Sequence, residues 1–473
     1  MAAVACSTLI GRLADFAAAV RYDALPAQVV AECKRILLDS LGCAYAALGA
    51  DKGRLAMQAG RDMGGPAEAS VFGGQARLSA TSAAFVNGEL INALDFDACT
   101  IPPGHVAPYA LPPLLAAGEA ARASGKRIIE AIAVAHEVCA RVGSAMSHYR
   151  DLTPGQRLGF PPVTGYSGTI IGSTLACALA RGMARDLTAH AVGLAARMAP
   201  AQSMTKWIRT LPATDDKYLM AGWMAQTALQ AVLLASNGYR GDVAALEGEY
   251  GFWRYMGVRK WNPRALTDGL GADWRFPALT IYKPYPTCRI SHTVLDCLGA
   301  ILADHALKPH EIERVAAYCD PHAATLPMFA NTFIASAGDA AMNVAYAVSM
   351  VVHGVRSGPA WHDDATLNND RLLAFMRKVT VLPHPRFEEM LATEPQSRIG
   401  RVEIRARGRT FESELHYRKG SPATPRTRMA DTELLEKFTH CASRTKAGSA
   451  ARIAAMVFRL ERLDDIGELA RIW

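Results

Sequence analysis

Two stretches of the chain carry residue types able to do acid–base chemistry on a small acid. The first is residues 83–119, AAFVNGELINALDFDACTIPPGHVAPYALPPLLAAGE, where Asp95 and Asp97 bracket Phe96 inside an apolar helical pattern. A carboxylate in such a setting can orient a basic side chain or bind a substrate hydroxyl. A Pro- and Gly-rich break at 100–104 follows, and a new apolar helix is expected from about Val106. Acids at a helix end, a tight turn and a second helix make a pocket wall, and N–H groups at the second helix start are open to an anion. The second stretch is KPYPTCRISH, 283–292. Pro284 and Pro286 stiffen it and fix where Lys283, Cys288 and Arg289 point. Arg289 offers a fork that holds a carboxylate through two bonds. The Cys288 thiol exchanges a proton only if neighbouring cations lower its pKa, and His292 lies one helical turn further on.

The elements that must position these residues are mostly helices. Apolar residues recur at helical spacing (Leu9, Leu13, Phe16, Val20), and Pro26 opens a second helix carrying LLDSLGCA. Further helices are expected over 79–94, 125–143 and 187–201 and after Lys217, with 203–216 as a loop. His136 reads as a core histidine. The texture changes after Trp261: strands are expected at 313–319, 378–382, 400–407 and 409–417, and a helix over 335–353. The fold class is therefore mainly α, an all-α domain over 1–268 and a smaller α+β lid over 269–420, with 421–473 returning to the helical part. Half of the residues are hydrophobic and 20% are charged, as in an ordinary globular protein. The net charge of +7 is mild, and no basic-aromatic stripe suggests nucleic acid. Ten cysteines stand singly without a CxxC, as in a reducing cytoplasm, and neither a signal peptide nor a membrane span is expected. The sequence has no HxxxH, HxH, GxGxxG after a strand, or Walker pattern, so no metal or cofactor is expected.

NGELINALDFDACTIPPGHVAPYALPPLLAAGE resembles the NG…HALDFDD…HPG stretch of the MmgE/PrpD family, and KPYPTCRISH is similar to that family's KPYP.CR..H. LLDSLGCA and GKRIIEAIAVAHEVCARVG also resemble family segments, so the likeness runs from about residue 5 to 440. It implies a helical domain built from both chain ends, an α+β lid, an active site between them and a homodimer. It carries roles to Asp95, Asp97, Lys217 (before the YLMAGWMA helix), Lys283 and Tyr346 (in AMNVAYAVSMVVHG), and places Thr100 or Cys99 near a hydroxyl-bearing position. Two family histidines align with Ile101 and Pro161, and His105 is displaced by four residues. A more apolar pocket, for a substrate with fewer carboxylates, is expected from that departure.

Lyase chemistry on a carboxylic acid needs a cationic clamp, a base for a carbon-bound proton and an acid for the group that leaves or arrives. Lys217, Lys283 and Arg289 can clamp, with Thr100, His105 and His292 as further binding groups. A lysine pressed against another cation has a lowered pKa and can be the base. Tyr346 or Cys288 can be the acid. The expected function is a cofactor-independent hydro-lyase acting on a small carboxylic acid. A decarboxylase, an epimerase and a non-catalytic acid-binding relative are the alternatives.

Overall fold

Apolar residues at three- and four-residue spacing build ten α-helices among the described residues from Leu9 to Ser236. The computed structural model describes residues 8–74, 76–146, 150–160, 166–201, 204–217, 219–258, 260–444 and 449–473. The helices Ala80–Asn92, Ala107–Ala120, Gly125–Ala145, Thr169–Ala180 and Ala221–Ser236 pack together, and most residues along them are buried. The Asp431–Cys441 and Ser449–Phe458 helices join this core through Leu434, Phe438, Cys441, Ile453 and Val457.

A second core forms around a four-stranded sheet of β6 (Ile312–Cys319), β7 (Val379–Pro383), β8 (Gly400–Ala406) and β9 (Arg409–Leu415), in the order β7-β6-β8-β9. The β6–β7 pair is parallel and the other two pairs are antiparallel. Gly400, Val402, Ile404 and Ala406 of β8 are buried and alternate with partly exposed or exposed residues. That is the period of a sheet with one face covered. The His292–His305 and Val344–Val352 helices share this core. The molecule is thus a large helical part plus a smaller α+β part, as the residue patterns predict.

Three local expectations differ. The 335–353 segment is two helices, Ala337–Met342 and Val344–Val352, because the Asn343 side chain accepts from Tyr346 N and starts the second one. Residues Met204–Trp207 form one helical turn where a loop is expected. The break at 100–104 is a hairpin between β3 (Cys99–Thr100) and β4 (Gly104–His105). Strand β5 (Thr280–Ile281) pairs with β3 on its other edge, Cys99 facing Ile281. The small sheet of β1 (Ala69–Ser70) and β2 (Arg77–Leu78) lies elsewhere. Pro161 lies outside the described residues. No helix among the described residues is long and apolar enough to cross a membrane.

Candidate active site

The three-stranded β4-β3-β5 sheet brings the two chemistry-bearing stretches together. The Ala80–Asn92 helix runs into Asp95, which turns the chain through the left-handed region at φ 52. Lys217 has a similar backbone at φ 49. Each such residue other than glycine costs on the order of 1–3 kcal/mol, and it persists where surrounding contacts over-determine it. Here the contacts are ionic. Lys217 Nζ donates to Asp95 Oδ1 at 2.6 Å and to Asn92 O at 3.0 Å. Lys283, which follows β5 closely, donates through Nζ to Asp95 Oδ2 at 2.7 Å and to Asp95 O at 2.6 Å. Asp95 is 1% exposed and Lys283 0%.

A histidine completes the cluster. Cys99 and His105 are register partners across the β3–β4 hairpin. His105 Nδ1 lies 2.6 Å from Asp97 Oδ2, and its Nε2 lies 3.5 Å from Asp95 Oδ1. Asn92 Nδ2 donates to Asp97 Oδ1 at 3.1 Å. The Tyr166 ring meets His105 edge-on at 5.5 Å. That contact needs Gly104: its φ is +142, and a Cβ there would sit 2.2 Å from the Tyr166 ring.

The charges set one another. Burial opposes ionisation of Asp95, but Lys217, Lys283 and then His105 outweigh it and hold the carboxyl well below its usual range. Burial likewise works against Asp97, and His105 foremost overrides it, so that pKa is lowered too. His105 resists charge by burial, yet Asp97 and then Cys99 raise its pKa. Burial dominates at Lys217 and lowers it despite Asp95. At Lys283 the opposing pull of Asp95 exceeds the effect of burial and raises it. The site therefore holds a protonated-prone imidazole on a carboxylate, one firmly charged lysine and one lysine closer to releasing its proton. Burial also opposes a Cys99 thiolate, but Arg289, His105 and Lys283 outweigh it and lower that pKa.

Asp95, His105, Lys283, Cys288 and Arg289 line a cleft. Arg150, Arg398 and Arg418 line it as well, together with an apolar wall that includes Ile101, Pro103, Trp207, Phe329 and Phe387. Arg150 pairs with Asp320 at 2.5 Å. Burial, then Arg289, Arg398 and Arg150, push the pKa of Arg418 down. A guanidinium nevertheless keeps its proton in the working range, so this crowding is relieved best by an anion in the cleft.

The remaining sequence-predicted residues fall elsewhere. Lys217 sits behind Asp95 and does not line the cleft. Thr100 is buried, with its hydroxyl 3.2 Å from His136 Nδ1 and 3.4 Å from the Thr280 hydroxyl. His292 is buried beside the Tyr285 ring, its Nε2 3.1 Å from Thr287 O. Tyr346 is buried in the second core and donates to Trp361 O at 2.6 Å, because the apolar face of its helix packs inward. The geometry thus withdraws Thr100, His292 and Tyr346 from direct contact with anything in the cleft. Cys288 does reach it, but burial and then Asp95 raise its pKa, so the thiol stays protonated. His105, displaced by four residues in the sequence, lies in β4, where the hairpin brings it beside the acids. The cleft is more cationic than the substitutions at Ile101 and Pro161 suggest. Sequence reasoning missed Arg150, Tyr166, Arg398 and Arg418, which stand in no local pattern. It also missed Asn92, although that residue stands three positions before Asp95 on the buried helix.

Comparison with known proteins agrees with this architecture. The MmgE/PrpD N-terminal domain matches residues 11–263 and the MmgE/PrpD C-terminal domain matches residues 285–462. The chain is 28% identical over 300 residues to the cis-aconitate decarboxylase of Homo sapiens, covering 61% of this chain and 59% of that protein. It is 26% identical over 321 residues to a cis-aconitate decarboxylase-like protein of Aspergillus oryzae (64% and 62%). It is 25% identical over 304 residues to a cis-aconitate decarboxylase of Aspergillus terreus (62% and 60%). The matches thus span about three fifths of each relative's length. With both domain matches in chain order, and the first alone covering more than half of the sequence, the chain belongs to the MmgE/PrpD family.

Proposed function

We propose that this protein is a cofactor-independent lyase that cleaves a bond beside a carboxylate of a small carboxylic acid, and that the reaction is a decarboxylation. The observation that carries the reading is the Asp97–His105 pair at 2.6 Å, whose imidazole lines a cleft with Lys283 and four arginines. The arginines and Lys283 hold the substrate's carboxylates. The apolar wall takes the carboxylate that leaves: away from water an ionised carboxylate loses solvation, whereas the neutral CO₂ it becomes does not. The C–C bond breaks, CO₂ departs, and the electron pair delocalises toward a neighbouring carboxylate beside the cations. His105, kept protonated by Asp97, then gives a proton to carbon. Lys217 keeps Asp95 ionised from behind, and Asp95 in turn keeps Lys283 charged.

The relatives' names favour decarboxylation over the hydro-lyase reaction expected from sequence. Both reactions pass through a carbanion beside a carboxylate, so one assay separates them. Purified protein is incubated with ¹³C-labelled cis-aconitate, citrate, 2-methylcitrate and iminodisuccinate, and products are followed by NMR. Labelled CO₂ supports the proposal. Loss or gain of water alone establishes a hydro-lyase, and binding without turnover establishes an acid-binding relative. A homodimer in the cytoplasm belongs to the same proposal, and light scattering of the purified protein tests the dimer.

A further inference from the structure

The loop that carries Asp95 and Asp97 is held from a third side that the chemistry above does not use. Lys437, on the Asp431–Cys441 helix near the end of the chain, donates through Nζ to Phe96 O at 2.7 Å and to Asp39 Oδ1 at 2.7 Å. The other oxygen of Asp39 accepts from Ala98 N at 3.0 Å. The Lys437 ammonium also lies 3.9 Å from the centre of the Phe96 ring. The two side chains are 7% and 0% exposed.

Three lysines from three distant segments therefore grip three carbonyls between the end of the Ala80–Asn92 helix and Phe96: Lys217 on Asn92, Lys283 on Asp95 and Lys437 on Phe96. Lys217 and Lys283 also neutralise the Asp95 carboxylate. Lys437 brings its own counter-charge, Asp39 of LLDSLGCA, and bonds only to backbone between the two acids. Gly42 of the same stretch lets the two helices meet, since a Cβ there would come within 3.3 Å of Phe438 Cα.

We infer that Asp39 and Lys437 form a positioning pair, which fixes the Phe96–Ala98 backbone so that Asp97 meets His105. The inference assigns the near-terminal helix a part in the site built at the other end of the chain. It rests on the Asp97–His105 pair being functional, as proposed above. Without the pair, the Phe96–Ala98 peptide groups relax and Asp97 turns away from the imidazole, while the cleft arginines stay in place.

The test compares the wild type with Lys437→Met, Lys437→Arg and Asp39→Asn/Lys437→Met in the full chain. The double variant removes both buried charges, so neither is left unpaired. The first readout is the downfield imidazole proton of His105 Nδ1, identified by its loss in Asp97→Asn. The second is kcat and KM on whichever acid turns over. The signal should vanish or move upfield in Lys437→Met and in the double variant. It should persist in Lys437→Arg, which restores a cation and a donor. Displacement of a reacting group by about 1 Å costs on the order of 100-fold, so kcat should fall by about tenfold to 100-fold. KM should stay within about twofold, because the arginines are untouched. An unchanged imidazole signal with unchanged kcat would overturn the inference, even if the melting temperature fell, because the pair would then be structural only. If no acid turns over in any protein, the lyase reading fails and the imidazole signal alone still decides the positioning role.

Discussion

Asp95 is the single carboxylate shared by two buried lysines, and this asymmetry predicts an order of stabilities. Lys283 Nζ lies 2.7 Å from Oδ2 and Lys217 Nζ lies 2.6 Å from Oδ1. At an effective dielectric near 20, each attraction is worth about 6 kcal/mol before the opposing loss of hydration. Removing one partner of a buried pair costs about 3–5 kcal/mol when the other is left uncompensated. In Lys283→Met the carboxylate keeps Lys217 and the methionine fills the space, so the cost should be about 2–3 kcal/mol. In Asp95→Asn two ammonium groups lose their counter-charge, and the cost should reach about 4–5 kcal/mol. Both losses fit within the roughly 5–15 kcal/mol of a typical domain. The double variant Asp95→Asn/Lys283→Met should be more stable than Asp95→Asn alone, since one unpaired charge has been removed. Urea unfolding of the four proteins measures all of this. In Asp95→Asn the buried lysines should have folded-state pKa values below their unfolded ones. The unfolded chain then binds more protons, and stability should rise with pH above neutrality. The reasoning is refuted if Lys283→Met is as damaging as Asp95→Asn, or if the two losses add in the double variant.

Further expectations follow from the same geometry. Asp97→Asn should lower kcat by about 10²–10⁴-fold, because the imidazole loses the partner that fixes its tautomer and supports its charge. Its pH–rate profile should lose activity at lower pH than wild type, as the His105 pKa is no longer raised. Stability against pH has two signed contributions in the wild type. That of Asp95 and Asp97, whose pKa values are lowered, is present above about pH 4 and is lost as the pH falls through their folded values. That of His105, whose pKa is raised, is complete below about pH 6.5 and is lost as the pH rises through its folded value. Urea midpoints across pH should show both limbs, and Asp97→Asn should flatten each. Arg418→Gln should weaken binding of the substrate acid by about 10- to 100-fold, the worth of one charge-assisted hydrogen bond, measured as KM or by calorimetry. Gly104→Ala should displace Tyr166 and lower stability by about 1–3 kcal/mol, read by urea unfolding.

The helices and the long strands of the four-stranded sheet were legible because each is long enough to show a period. Strands β3, β4 and β5 are two residues each, too short for any alternation, and Pro102 and Pro103 read as an interruption. Yet this small sheet brings Asp97, His105 and Lys283 together. His105 looked displaced when counted along the chain. Across a hairpin, a few residues return the chain beside its starting point, so sequence distance misleads there. Arg150, Arg398 and Arg418 each resemble surface arginines locally, and only the tertiary fold makes them converge. Tyr346 runs the other way: a phenol on an Ala-rich helix looked like a site residue, and in the structure its hydroxyl donates to a backbone carbonyl of the second core.

The most direct test of the central claim is proton transfer at substrate carbon. The wild type and His105→Gln are incubated in heavy water with each acid of the panel, and deuterium in the product is located by NMR. The account predicts one deuterium on a carbon that shares the electron pair left by CO₂, formed by the wild type and reduced by at least about 100-fold in His105→Gln. Turnover with undiminished deuterium incorporation in His105→Gln would contradict it, because carbon would then be protonated without the imidazole that Asp97 supports.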